Sequence, residues 1–408
     1  MPAHPAALTA ATAVAEALSD PRILNQEGLN GRARPQSLAG GAVGIALLHI
    51  ERARSGHGTD TTAHAWLKIA ATQPVSTGAN ANLFHGAPAL GFALHTAGQT
   101  RYQRALAAID RPTGALTRAR LAAAHARLDR GDPLLMREFD LIHGLTGLGV
   151  HHLRRHPTHP ITRDVLAYLV RLTLPLPKGP SSGDTPPWWM PTGLSGEPDP
   201  AFPQGHGNLG VAHGISAVIA LLALALRQGT ANPPVREALE RLCAWTDKWR
   251  QDERSGSWWP GYLTVDHAQG RMAVPRPRPS WCYGIAGTAR AQQLAGIALG
   301  DVARQAAAEH AMISALRNPD QRVLLPEIGL CHGKAGLLQA AFRMAHDARD
   351  PALAAELPGL AAQLATQVDE PLNDTELMDG AAGAALALHA AGTGTLPASA
   401  WDAVLLLA

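Results

Sequence analysis

The chain has 408 residues, enough for one large domain or two or three ordinary ones. With 46% hydrophobic and only 17% charged residues it can build a sizeable core, which excludes a disordered or solvating chain. A formal net charge of +2 leaves no electrostatic footprint for nucleic acid and no polybasic membrane anchor.

The first twenty residues, MPAHPAALTAATAVAEALSD, lack a basic opening and carry Glu16 and Asp20 within the apolar stretch, which argues against a secretory signal. From Gly40 onward a short glycine motif followed by an apolar helical segment recurs seven times. The copies are GGAVGIALLHI from Gly40, HGAPALGFALH from His85, HGLTGLGVHHL from His143 and HGISAVIALLAL from His213, then YGIAGTARAQQL from Tyr283, HGKAGLLQAAF from His332 and DGAAGAALALH from Asp379. Their shared glycines are Gly41, Gly86, Gly144, Gly214, Gly284, Gly333 and Gly380, at intervals of 45, 58, 70, 70, 49 and 47 residues. Each interval holds one helix, a returning helix and their loops. The expectation is all-α: about fourteen helices in seven helical hairpins, closed into a double-layered α/α toroid, as a single domain over residues 1–408. An open solenoid is the alternative closure.

After Gly333 the apolar residues Leu337, Leu338, Ala341, Phe342 and Ala345 form one helix face. The small residues at each head are expected to let seven inner helices approach a common axis. Ala89 and Ala217 replace the second glycine in two copies.

Two stretches break the rhythm. Residues 174–208 are rich in Pro and Gly around Trp188-Trp189, and residues 250–280 contain Trp258-Trp259 followed by GYLTV and RMAV, which read as a short β-hairpin across a polar turn. One or two such hairpin loops are expected to decorate the helices, with recognition carried there. The tryptophans either stack on a peptide or cover a core edge. The longest apolar run, Ile215 to Leu226, is too short to span a bilayer and reads as a buried helix. GHGNLG at Gly205 to Gly210 matches a dinucleotide fingerprint in form only, with no strand before it. His152 and His156 fit a helix C-terminus before Pro157 better than a metal site.

Three cysteines do not make a disulfide framework, so a reducing compartment and a soluble, cytoplasmic protein are expected. Cys243 has no special placement and reads as core. Cys282, in Ser-Trp-Cys-Tyr-Gly, and Cys331 with His332, in Leu-Cys-His-Gly, stand at the heads of neighbouring copies. If the repeat geometry holds, they meet despite their separation. Two thiolates and an imidazole form a catalytic zinc set with a fourth position open, whereas the spacing fits no zinc finger. The plain alternative is two small buried cysteines. Two thiolates would cancel the ion's charge, so a substrate thiolate joining them stays electron-rich and nucleophilic. Attack on carbon suits such a site better than hydrolysis.

WCYG around Cys282, CHG at Cys331 to Gly333 and the repeated HGxxG-like turns resemble the lanthionine synthetase C family, most clearly over residues 36–390. The resemblance implies an α/α toroid with one zinc ion per chain, held by Cys282, Cys331 and His332. It further implies functional roles for His213 in LGVAHG, Asp140 in FDLIHG, Arg278 four residues before Cys282, and Tyr283 directly after it. Asp140 and Tyr283 could equally serve as helix-start hydrogen bonders, and Arg276 competes with Arg278. The implied reaction is Michael-type addition of a precursor-peptide cysteine thiol to dehydroalanine or dehydrobutyrine, with His213 as the acid that protonates the enolate. The repeats occupy the chain, so a stand-alone cyclase acting on a dehydrated precursor peptide from a separate dehydratase is expected. A zinc protein that binds glutathione or a partner thiol without closing rings is the rival. A glycosidase using Asp140, Glu327 or Asp379 leaves the cysteines unexplained, and no DDxxD or DxDD run supports a terpene cyclase.

Overall fold

A computed structural model describes residues 1–25, 34–175, 185–368 and 374–408. Residues 176–184, within the expected loop 174–208, lie outside the described residues. The described chain contains α1 (Pro5–Ala17), α2 (Ala42–Arg54), α3 (Asp60–Ala70), α4 (Ala87–Ala97), α5 (Gln103–Arg130), α6 (Leu145–Arg155), α7 (Pro160–Leu172), α8 (Ile215–Arg227) and α9 (Pro233–Asp247). There follow the single turn α10 (Val265–Ala268), α11 (Ile285–Leu299), α12 (Val302–Arg317), the single turn α13 (Pro319–Arg322), α14 (Lys334–Asp347), α15 (Ala352–Gln367) and α16 (Ala381–Thr393). Without the two single turns, fourteen helices remain among the described residues, the number the repeats predict.

All seven shared glycines are helix N-caps: Gly41 of α2, Gly86 of α4, Gly144 of α6, Gly214 of α8, Gly284 of α11, Gly333 of α14 and Gly380 of α16. The physical reason for glycine differs from the expected approach to a common axis. A Cβ on Gly144 would lie 2.5 Å from the amide nitrogen of Asp140, and one on Gly380 would lie 2.4 Å from that of Glu376. Three residues further on, a Cβ on Gly44, Gly336 or Gly383 would meet the carbonyl oxygen of Leu38, Leu330 or Leu377 at 2.2, 2.0 and 1.9 Å. Each helix therefore packs onto the turn that leads into it.

The chain forms two compact units. The first comprises Met1–Thr113, Pro279–Trp281 and Leu316–Ala408. In it α2 packs on α3, α4 and α16, and α14 packs on α15 and α16. The seventh hairpin is completed by the other end of the chain, since α16 packs on α1. The amide of His4 donates to the carbonyl of Gly392 at 3.1 Å. The second unit comprises Gly114–Arg278 and Cys282–Ala315, where α8 packs on α6, α9 and α11, and α6 on α7.

Two kinds of helix result. In α14 every residue from Ala335 to Met344 is buried, and in α8 every residue from Ile215 to Ala225, so the single apolar face expected for α14 is in fact a helix enclosed all round. In α7 only Ile161, Thr162, Val165, Leu166, Tyr168, Leu169 and Leu172 are buried, one stripe of an amphipathic helix. Helices of the first kind begin at the glycine heads; α7 and α9 cover them.

The expected GYLTV/RMAV hairpin does not form. The hairpin is instead β2 (Gln251–Glu253) with β3 (Gly256–Trp258). Tyr262–Leu263 forms β4 and pairs with β1 (Gly207–Asn208), so the two irregular stretches are stitched together. Arg271 to Val274 forms no strand. Arg271, Met272 and Ala273 are exposed, so the segment buries no alternating face against a partner strand. Trp188 is buried edge-on against Trp245 of α9, with ring centroids 5.4 Å apart, and Trp258 and Trp259 are buried as well. These tryptophans cover a core edge. Among the described residues, no helix is long and apolar enough to cross a membrane.

Candidate metal centre and its neighbouring histidine

In five of the repeats, the residue two before the glycine cap (Ala39, Phe84, Ala212, Cys282 and Met378) offers its carbonyl to the head of a neighbouring copy. In the second unit, Leu141 N donates to Ala212 O at 3.3 Å, while Val211 N and Ala212 N donate to Cys282 O at 2.9 and 3.2 Å. In the first unit, Cys331 N donates to Met378 O at 2.8 Å, Met378 N to Ala39 O at 3.1 Å, and Leu38 N to Phe84 O at 2.8 Å. Cys282 and Cys331 occupy this same repeat position, so a backbone ladder sets their placement. The residue after each, Tyr283 and His332, sits directly before the cap.

The ligand atoms of Cys282, Cys331 and His332 all lie within 4.8 Å of one another, the one such group of His, Cys, Asp and Glu among the described residues. A tetrahedral zinc ion would set such donors roughly 3.5–4 Å apart, so the group fits an ion after small side-chain shifts. Cys282 is buried, and Cys331 and His332 are half-buried. The donor chemistry, two soft sulfurs and one imidazole, suits zinc and leaves a coordination position open. His332 Nε2 lies 3.6 Å from Glu327 Oε2, and its Nδ1 lies 3.5 Å from Asp379 Oδ1. Whichever nitrogen faces a metal, the other has a carboxylate to orient it. Cys243 is buried away from this group, and burial pushes its thiol up to about 12, the behaviour of a core residue.

His213 and Asp140 come together across 73 residues of sequence. His213 Nδ1 lies 2.6 Å from Asp140 Oδ2, and Asp140 Oδ1 accepts the backbone N–H of His143 at 2.9 Å. Asp140 is fully buried, while the His213 side chain is 20% exposed. A carboxylate at this distance favours the tautomer with the hydrogen on Nδ1 and leaves Nε2 unused by this contact. The His143 ring stacks on His213 with centroids 5.9 Å apart, and burial lowers the pKa of His143. The Tyr283 ring also stands near His213, 6.4 Å between centroids. A Cβ on Gly210 would lie 2.6 Å from Tyr283 Cδ1, so the GHGNLG stretch serves to admit this ring.

Arg276 and Arg278 differ in their surroundings. Arg276 is engaged by the hairpin: it donates to Ser255 Oγ at 2.8 Å, pairs with Glu253 Oε2 at 3.3 Å and lies over the Trp258 ring. Arg278 is exposed. His152 sits in the last turn of α6, buried and bonded to Thr117 Oγ1 at 2.8 Å, so the helix-terminus reading holds. Sequence reasoning missed His143, Gly210 and the placement of Glu327 and Asp379 beside His332. His143 and Asp379 carry the same signal as His213 and His332, the position directly before the cap.

A family model described as lanthionine synthetase C-like protein matches residues 32–406. The nisin biosynthesis protein NisC of Lactococcus lactis subsp. lactis is 26% identical over 141 residues, which are 34% of this chain; the match spans only 33% of that relative. The solved structure of nisin cyclase superposes with a TM-score of 0.76 over 91% of this chain and 92% of that one, at 20% identity. That likeness is one of fold, and it places the fold in the α/α-toroid class.

Proposed function

Because the chain belongs to the lanthionine synthetase C-like family, we propose that it is a lanthipeptide cyclase. It joins cysteine thiols of a precursor peptide to dehydroalanine or dehydrobutyrine of the same peptide, forming lanthionine or methyllanthionine. The observation that carries this reading is the pairing of two features on repeat heads: the Cys282, Cys331 and His332 donor group, and the imidazole of His213 braced by Asp140.

A zinc ion held by Cys282, Cys331 and His332 would supply a Lewis acid that keeps a substrate thiol deprotonated near neutral pH. The remaining work falls to the chain. In the addition, the sulfur lone pair forms the S–Cβ bond, the C=C electrons move toward the carbonyl, and the α-carbon takes up a proton. No group leaves. His213 Nε2 is the group proposed to hold that proton and deliver it to the α-carbon, with Asp140 fixing the tautomer and stabilising the charged imidazolium. Arg278 is proposed to meet the developing negative charge on the carbonyl oxygen, being permanently cationic and exposed. Tyr283 and His143 both stack near the His213 ring. The dehydrated residues would come from a separate dehydratase.

The test uses a model peptide with one cysteine and one dehydroalanine. Ring closure leaves its mass unchanged and removes its free thiol, so maleimide capping before and after incubation reads the reaction. The purified protein should contain about one zinc per chain. Cys282→Ala, Cys331→Ala and His332→Ala should each lose zinc and ring closure together. A wild type that keeps the peptide thiol free but adds glutathione to the dehydroalanine would establish the thiol-transfer rival instead. A metal-free wild type, purified without chelator, would remove both.

A further inference from the structure

We propose that the C-terminal strap, the 3-10 segment Trp401–Leu405 with Ala400 and Leu406 at its ends, is a positioning element for the Cys282, Cys331 and His332 group. The proposal rests on that group being a metal site. Two ligand-bearing segments meet the strap. The first is α14, whose N-cap Gly333 directly follows Cys331 and His332. From α14, Arg343 Nε and Gln339 Nε2 each donate to Asp402 Oδ2 at 2.6 Å, and a second Arg343 nitrogen donates to Asp402 Oδ1 at 2.6 Å. The second is Trp281, the residue before Cys282. Its indole N–H donates to the carbonyl of Leu405 at 3.0 Å, across 124 residues of sequence.

The two segments also touch each other. A Cβ on Gly336 of α14 would lie 3.2 Å from the Cβ of Trp281, so the base of the Trp281 side chain is seated directly against the helix. Trp281, Asp402, Gln339, Trp401 and Leu405 are all fully buried, and Asp402 is matched by its donors. The strap thus closes a triangle whose other corners are the stalks of Cys282 and of Cys331 with His332.

The strap's backbone is held in an unusual shape. Ala400 (φ 52, ψ 40) and Leu406 (φ 57, ψ 31) are the two non-glycine residues with left-handed backbones among the described residues. A buried leucine keeps that conformation only where its surroundings over-determine it. Those surroundings include Glu51 of α2, whose carboxylate accepts the amides of Ala398 and Ser399, both at 2.9 Å, and the Ser399 hydroxyl at 2.6 Å. The result is a carbonyl, that of Leu405, and a carboxylate, that of Asp402, aimed at the two stalks.

Cobalt(II) in place of zinc reports both occupancy and geometry, because its thiolate charge-transfer and d–d bands depend on ligand placement. Trp281→Phe keeps an aromatic ring and removes the donor; Gln339→Met is nearly isosteric and removes one bond to Asp402. The control is Trp66→Phe, which loses an equally buried indole bond, 2.9 Å, to a carbonyl outside the strap, that of Leu18. Trp281→Phe should bind cobalt and zinc about tenfold more weakly with shifted bands, and Gln339→Met should move both in the same direction. Trp66→Phe should match the wild type in metal affinity and spectrum even where its Tm falls as far. Wild-type affinity and spectra in both strap variants overturn the proposal, as does an equal shift in Trp66→Phe. If Trp281→Phe does not fold, Gln339→Met decides alone. A wild type that takes up no metal removes the metal reading itself and this proposal with it.

Discussion

Asp140 shows how a turn-bracing residue can also reach a distant imidazole. Ser37 stands four residues before its glycine cap, as Asp140 does, and its hydroxyl accepts the amide of Gly40 at 3.0 Å, bracing the turn. Asn82, at the same position in the next copy, accepts the amide of Phe84 at 2.8 Å. Asp140 does this with one oxygen and has a second left over, which reaches His213. One carboxylate thus both braces a helix start and contacts His213, so the two readings weighed from sequence do not exclude each other. His213→Asn should slow ring closure by about a hundredfold or more while leaving zinc content unchanged, as measured by single-turnover thiol capping on metal-quantified protein. Asp140→Asn should keep the turn, since the amide oxygen still accepts the His143 N–H. It should lower the rate and shift its pH profile, because an amide cannot stabilise the imidazolium. An unchanged pH profile would count against the pair.

At the scale of elements, the repeat was legible because a Cβ at the head glycines Gly41, Gly86, Gly144, Gly214, Gly333 and Gly380 would collide with the turn leading into the helix. Gly383 and Gly359 make the contrast measurable. A Cβ on Gly383, near the start of α16, would lie 1.9 Å from the Leu377 carbonyl oxygen, whereas one on Gly359 in α15 meets nothing within 4 Å. Gly383→Ala should cost about 2 kcal/mol or more through overpacking. Gly359→Ala should add about 0.5–1 kcal/mol by restricting the unfolded chain and favouring helix. Thermal or urea unfolding of the two variants checks both signs. Ala89 and Ala217 show that the requirement is local to each turn, since these copies build the same helices with alanine. Helix burial was less legible. The heptad-like apolar face of α14 hid the fact that Gln339 and Arg343 on its other side are also buried, because their partner Asp402 lies far along the chain. Breaking such a buried ion pair costs about 3–5 kcal/mol, so these polar positions are as constrained as the leucines.

At the scale of the molecule, buried histidines set the response to acid. Burial lowers His49, His206 and His389 to about 4 from an ordinary value of 6.5. Their folded-state values are depressed, so the unfolded chain binds more protons between those limits. The stability they contribute is fully present above about 6.5 and is lost as pH falls toward 4. Tm should therefore decline through that window, and replacing His206, which sits in an aromatic setting against Phe202 and Tyr262, with Phe should flatten part of the decline. A Tm independent of pH from 7 to 4.5 would contradict this. The sequence by itself determined the number of hairpins, the helix that starts at each glycine, and the residues of the donor group, because a repeat writes each of these as a local pattern. Only the tertiary structure decided that α1 completes the hairpin of α16, that Asp140 reaches His213, that Arg276 is spent on a hairpin, and that the strap joins Trp281 to α14. These pairings are set by packing between segments far apart in sequence, and no local periodicity records which distant backbone a buried polar group will find.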